Sequence, residues 1–279
     1  MQQAIDLPLP EGEGVLMQTV AQAISAVLNT SDPRAKVMAA RRTARDWRLG
    51  RVAHEFDAVM PDRPARPVKP ELLPASRMPK RGRAGSERAR IAMLHALAHI
   101  EFSAIDLAFD LAGRFGADKP RSFIDDWLSV GADEALHFAL LERRLRSLGA
   151  AYGNLPAHDG LWEAAEATAG DALARIAIVP MVLEARGLDV TPATVARFRG
   201  AGDLRSANIL ERIYKDEIRH VAHGVKWFES LSKVNGGETV TIWHSLVKTH
   251  FRGELKPPFN DSAREAAGLT KEFYAALAV

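Results

Sequence analysis

The stretch DEALHF at 133–138 returns, lightly altered, as DEIRHV at 216–221. Each copy sets an acidic pair ahead of a histidine, so that Glu134 precedes His137, and Glu217 precedes His220, by three residues. On a helix, residues at i and i+3 share one face about one turn apart, so a carboxylate and an imidazole can address a common centre. The offset between the copies is 83 residues, and the same offset carries Glu101 onto Glu184 and Asp133 onto Asp216. Four Glu and two His supply the oxygen and nitrogen donors that two divalent cations need. Four carboxylates balance the charge of the pair, bridging Glu hold the cations together, and each neutral imidazole fixes one of them. The two Asp have a complementary use. In an antiparallel pair of helices Asp133 would reach the free ring N–H of His220, and Asp216 that of His137, setting tautomer and orientation.

The elements that must position these groups are long helices. Residues 87–115 place Leu94, Leu97, Ala98, Ile105, Ala108 and Leu111 on one stripe, with Glu101 in its middle. Residues 120–148 do the same with Phe123, Trp127, Val130, Leu141 and Leu145 around Glu134 and His137. In 160–186 the stripe Leu161, Ala165, Leu173 and Ile176 leads to Glu184, and in 203–232 Ile209, Ile213, Trp227 and Phe228 enclose Glu217 and His220. Each segment thus puts a carboxylate where the 3.6-residue period calls for an apolar side chain. Burying an uncompensated carboxylate costs several kcal/mol, so each needs a partner. Two copies of a two-helix unit, packed about a pseudo-two-fold axis, would converge the six residues inside a four-helix bundle, the ligand arrangement of di-iron and di-manganese carboxylate proteins.

The helical region from 86 to 231 resembles the ferritin-like superfamily of four-helix-bundle di-metal proteins. The stretches HALAHIEFSAIDLAFD, DEALHFALLERRL, LEARGLDVTP and YKDEIRHVAHG further resemble an uncharacterised ferritin-like family known as a domain of unknown function. The resemblance implies an all-α fold and metal ligation by Glu101, Glu134, His137, Glu184, Glu217 and His220, with two iron ions, two manganese ions or a mixed Fe/Mn pair. The superfamily holds oxygenases, oxidases, peroxide reductases, radical generators and iron stores, and membership alone does not choose among them. Cage-forming stores resemble the bundle with little added, whereas this chain has about 85 residues before it and nearly 50 after it. Rubrerythrin-like peroxidases resemble the bundle joined to a Cys-rich module. This chain has no cysteine, so an external electron donor is expected, as is the absence of disulfides and thiolate metal sites.

Several neighbours of the six admit two readings. Gly131, Gly187 and Gly224 either leave room for oxygen or substrate or mark close helix crossings, with a helix C-cap as a further reading for Gly187. Pro180, one turn before Glu184, either kinks the third helix and frees the carbonyl of Ile176 or marks the start of a shorter helix. Tyr214, one turn before Glu217, is either a phenol beside the metals or a packed core tyrosine. His95, His99 and His223 lack matched partners under the 83-residue offset and read as surface or helix-contact histidines. Arg186 and Arg219 either screen the site or form solvent-facing ion pairs.

The flanks have their own character. The net charge of +2 conceals a middle segment, 34–90, that carries +10 against −8 for the rest. This segment also holds prolines at 61, 64, 67, 70, 74 and 79, which favour an extended path. It either wraps the acidic bundle, tethers a helical N-terminal module (14–28 and 33–57), or contacts nucleic acid. The organisation expected is an N-terminal helical segment with basic arm (1–85), the di-metal bundle (86–232) and a C-terminal helical extension (233–279) broken at Pro257 and Pro258. With 47% hydrophobic residues, no basic-then-apolar leader and no apolar run near the roughly 20 residues of a membrane helix, the chain reads as cytoplasmic, without membrane contact.

The function expected is di-metal oxidoreductase chemistry, in which O2 or peroxide is activated to oxidise or hydroxylate an organic substrate. A metal-storage or scaffold protein without turnover is the alternative. A tRNA-modifying hydroxylase is a specific version, motivated by the basic arm and by superfamily precedent. The substrate, a small molecule or a modified RNA, is not specified, and a homodimer is compatible with the pattern.

Overall fold

A computed structural model describes residues 17–78, 86–234, 236 and 238–279, and the first sixteen residues and the 79–85 part of the basic arm, with Pro79, lie outside them. Two helices open the described chain: α1 (Val20–Leu28), started by a capping box between Thr19 and Gln22, and α2 (Pro33–Arg48), capped by Asp32 with Pro33 in its first turn. Long helices follow as α3 (Glu87–Phe115) and α4 (Arg121–Ser147), then the short α5 (Gly160–Glu166). The next run is composite: α6 (Ala172–Ile178), a π-helical turn (Val179–Glu184) and α7 (Ala185–Gly200). α8 (Leu204–Val234), α9 (Thr239–His250), α10 (Asp261–Ala266) and α11 (Lys271–Tyr274) complete the order. The described residues are all-helical, with three isolated bridges and no strand.

Short connections set the arrangement. Residues 116–120 join α3 to α4, and Ala201 to Asp203 join α7 to α8, with Gly202 at φ +74° making the turn. α3 packs along α4, and α7 along α8; α4 and α6 both pack against α8. One continuous apolar core includes Ile24 of α1, Trp47 of α2, Phe109, Trp127, Phe198, Phe228 and Trp243 of α9.

The structure corrects several expectations. The third long run does not begin at 160: α5 stops at Glu166, and a new helix starts at Ala172, where the Asp171 carboxylate accepts from the N–H groups of Leu173 and Ala174. That run continues to Gly200, so Gly187 lies inside a helix and caps nothing. Gly131 and Gly224 mark close approach and not a cavity. A Cβ on Gly131 would sit 2.4 Å from the Phe109 ring, and one on Gly224 2.7 Å from the Pro180 side chain. α3 is by length and composition apolar enough to cross a membrane, against the expectation of no apolar run of that length, and 72% of its most apolar window is buried within the fold.

The arm from 49 to 78 wraps the helices, and the end of α2 falls at Arg48, not 57. The Arg63 and Arg66 side chains pair with Asp159, and Pro61 O accepts from Arg114 of α3. Lys36 of α2 is fully buried against Asp106 of α3, and its ammonium also donates to Ala65 O at 3.1 Å. Removing one partner of such a pair typically costs roughly 3–5 kcal/mol, because the other charge is left buried alone.

His95 and His99 are buried, not surface residues, and they fasten the 150–158 loop onto α3. His95 Nε2 accepts from the N–H of Gly153 at 2.9 Å; His99 Nδ1 accepts from the Tyr152 hydroxyl at 2.9 Å, while its Nε2 donates to His158 O at 3.1 Å. Burial holds both imidazoles down at about 4, below the ordinary 6.5. A depressed histidine is protonated first in the unfolded chain, so the stability it supports is complete above about 6.5 and is lost as pH falls toward 4. Urea midpoints measured between pH 7 and 4 should therefore fall with pH, and His95→Gln should make that fall shallower; a variant that loses stability in parallel with wild type across the window contradicts this role for His95.

Candidate metal centre

Each of the four long runs contributes an acid to one place. α3 brings Glu101, α4 brings Glu134 and His137, the π-helical turn ends on Glu184, and α8 brings Glu217 and His220. Glu101, Glu134, Glu217 and both histidines are buried, and Glu184 is half-buried. Ligand atoms of Glu101, Glu134, His137 and Glu217 all lie within 4.8 Å of one another, a grouping that could hold a metal ion.

Both imidazoles turn the same nitrogen inward. His137 Nδ1 lies 3.1 Å from Glu101 Oε2, 3.4 Å from Glu134 Oε2 and 3.9 Å from Glu217 Oε1. His220 Nδ1 lies 2.9 Å from Glu134 Oε1 and 3.6 Å from the same Glu217 oxygen. Glu134 and Glu217 therefore stand between the two rings, whose centroids are 5.8 Å apart.

The outward nitrogens are held by aspartates that cross between helices. His137 Nε2 donates to Asp216 Oδ2 at 3.1 Å, and His220 Nε2 donates to Asp133 Oδ2 at 3.4 Å. In the neutral ring these bonds place the proton on Nε2 and aim the Nδ1 lone pair at carboxylate oxygens. Arg219, half-exposed, lies 2.5 Å from Asp133 and 3.7 Å from Asp216, so it bridges the two crossed pairs at the surface. Arg212 adds a second contact to Asp216 at 3.2 Å.

The electrostatics show how much charge is concentrated there. Burial, and then the neighbouring charge of Glu134, raises Glu101 well above the carboxylate range. Burial, with Glu217 and Glu134 nearby, does the same to Glu184, and Glu217 is raised for the same two kinds of cause. Glu134 alone goes the other way: although burial acts to raise it, contacts with both imidazoles bring it below the usual range. His137 is pushed up to about 12 against the effect of burial by Asp216, Glu101 and Glu134, and His220 is likewise raised well above 6.5. Glu134 Oε2, Glu184 Oε2 and His220 Nδ1 are nonetheless buried without a well-formed hydrogen bond. Lone pairs facing lone pairs need a cation, either protons or metal ions, and the donor set of carboxylate oxygens and imidazole nitrogens suits a hard or borderline divalent metal.

The other candidates are placed elsewhere. The Tyr214 hydroxyl, one of the two readings beside the metals, instead accepts from Asn260 Nδ2 at 2.9 Å, which ties α8 to the C-terminal segment. Arg186 donates to Lys256 O at 2.7 Å and lies 3.3 Å from Asp189, so it serves the same docking. His223 faces Asp126 at 3.4 Å. The π-helical turn was not anticipated as such: the Ala185 N–H bonds the Pro180 carbonyl five residues back, and Pro180, which lacks an N–H, was the available signal. The bridging position of Arg219 could not be read from spacing within one copy, because it spans both.

Comparison with known proteins gives a name for the group and no activity. A protein of Haemophilus influenzae named "Uncharacterized protein" is 42% identical over 211 residues, covering 74% of this chain and 73% of its own length. No solved structure matches the chain. Residues 29–275 match the family described as "Protein of unknown function (DUF455)", a range that includes the site from α3 to α8 and runs from the start of α2 to the end of α11, and the chain belongs to that family.

Proposed function

We propose that Glu101, Glu134, His137, Glu184, Glu217 and His220 form a di-metal carboxylate centre in a ferritin-like four-helix bundle, and that the protein is an oxidoreductase acting on an organic substrate. The observation that carries this reading is the pair of crossed Asp–His bonds, which turns both Nδ1 atoms inward onto buried glutamates. Charged surface residues that fell into this order by accident would have no reason to be buried, paired across helices and matched under one offset.

The residues divide the work by position. Glu134 and Glu217, each within 3.9 Å of both inward nitrogens, would be shared by the two halves of the centre. Glu101 belongs to the His137 half, and Glu184, its counterpart under the 83-residue offset, to the His220 half. Asp216 and Asp133 orient the imidazoles by accepting from Nε2, which keeps each Nδ1 turned inward. A bound iron or manganese pair would supply electrons for reducing O2 or peroxide, with an external donor restoring them. The buried helix faces exclude bulk water from the cluster, so protons enter or leave through groups such as Asp133 and Asp216 at its rim.

Two outcomes test the reading. After anaerobic loading with Fe(II), the wild type should oxidise about two equivalents per chain on admission of air and, with a chemical reductant present, continue to consume O2; Glu134→Ala/Glu217→Ala should do neither. Uptake of many irons per chain without reductant-dependent O2 consumption would establish storage in place of turnover. Removing an outer hydrogen bond should weaken the metals without abolishing the site: Asp216→Ala is expected to lower affinity by about 10–100-fold in competition with a chelator. An unchanged affinity would show that the crossed bonds do not serve metal binding.

A further inference from the structure

An open groove of about 1040 Å³ lies between α2 and α4. Arg41, Arg42, Arg45 and Arg48 of α2 line it, with Arg121 from the first turn of α4. Arg41, Arg45 and Arg48 recur at i, i+4 and i+7, so one face of α2 presents three guanidinium groups along about 10 Å of helix. The four α2 arginines are exposed, and among the described residues Arg41, Arg42 and Arg48 have no carboxylate partner.

Three acids also line the groove, and each is already engaged. Asp125 accepts from Trp47 Nε1 at 2.7 Å, and Asp126 from Trp227 Nε1 at 2.8 Å and Lys226 at 2.6 Å, with His223 beside it. Asp133 is held by Arg219 and His220. The Arg121 guanidinium lies over Trp47, its Cζ 3.8 Å from the ring centroid, which fixes it at the edge of the groove. Met38, 56% exposed, lines the groove together with Ala132 and Leu136 and offers apolar contact beside the charges.

Guanidinium forks repeated at this spacing suit phosphate groups, and apolar surface next to them suits a base or sugar better than an inorganic polyphosphate. We propose that this groove binds the phosphates of a nucleotide-containing ligand, either a free nucleotide or an RNA strand. Its wall includes Asp133, one hydrogen bond from His220, so the ligand lies alongside the candidate metal centre. Binding needs no metal, and this inference stands or falls independently of the proposed redox function.

The test is equilibrium binding of the full-length chain to two fluorescent probes, a short single-stranded RNA and an ATP analogue, followed by anisotropy across a salt series. At least one probe should bind at low salt, and for RNA held by three arginines log K should fall with log salt at a slope of about −2. Arg41→Glu/Arg48→Glu should weaken binding by about tenfold or more, with Arg41→Gln/Arg48→Gln intermediate. Lys248→Glu/Arg252→Glu makes the same change in net charge at exposed residues outside the groove and should stay close to wild type. RNA binding alone assigns a strand, and binding of the ATP analogue alone assigns a mononucleotide. Failure of both probes at low salt overturns the proposal, as does an equal loss in the Lys248/Arg252 control. Circular dichroism of each variant confirms that the helices remain.

Discussion

A carboxylate can be buried only where its charge is met, and this requirement organises the whole molecule. The interior holds Glu101, Glu134 and Glu217 around His137 and His220, and, away from that cluster, Lys36 against Asp106, Arg175 against Asp110 and Arg264 against Asp189. In each of the last three a buried acid is met by a buried base, with Arg114 adding to Asp110 and Arg186 to Asp189. The first is a surplus of acid shared by two imidazoles, which is why most of its groups are driven far from their ordinary protonation. Long helices follow from that arrangement: the cluster sits midway along α3 and α4, and the turns on either side must bury enough apolar surface to offset the cost of enclosing it.

Symmetry governs the cluster and stops at its edge. The 83-residue repeat pairs Glu101 with Glu184 and matches the two crossed Asp–His bonds, yet the shell around them is unequal. On one side the arm, the 150–158 loop and α1 cover α3, with His95, His99 and Lys36 as fastenings. On the other, the C-terminal segment docks on α7 and α8: Asn260 Nδ2 reaches Leu188 O and the Tyr214 hydroxyl, and Arg264 grips Asp189 through two bonds of 2.7 and 2.8 Å. The family match, from 29 to 275, takes in the arm, the 150–158 loop and the C-terminal docking segment, and stops short of α1. Glu184 carries this inequality into the cluster, since it closes a π-helical turn whereas Glu101 lies in regular helix. Such turns are rare in helices and concentrate at functional sites, and here the turn packs Pro180 and Met181 against Gly224 of α8.

Much of this was legible in the sequence because buried acids break a strong pattern. A glutamate in the middle of an apolar stripe is conspicuous, and two copies at one offset fix both the helices and the residues that face each other, including the partners of Asp133 and Asp216. What was hidden depended on contacts that have no period. The end of α5 and the restart at Ala172 are set by a local cap at Asp171 that an apolar stripe running through 161–177 disguises. His95 and His99 read as surface or helix-contact residues because their partners, backbone groups and the Tyr152 hydroxyl, belong to a loop 53 to 59 residues away, invisible to helix spacing. Gly131 and Gly224 carried no sign of whether they opened space or closed it, and the opposing Phe109 and Pro180 decide that. The arginine face of α2 was counted only as charge within a basic segment, and it becomes a groove because α4 lies beside it.

The central claim is that the six residues hold a pair of metals, and elemental analysis of the protein after anaerobic reconstitution with Fe(II) or Mn(II) tests it most directly. The account predicts about two metal ions per wild-type chain, and essentially none in Glu134→Ala/Glu217→Ala with its helical circular dichroism intact. A wild-type chain that retains no metal, or a variant that retains as much as the wild type, would contradict it and leave the cluster as a proton-bound structural core.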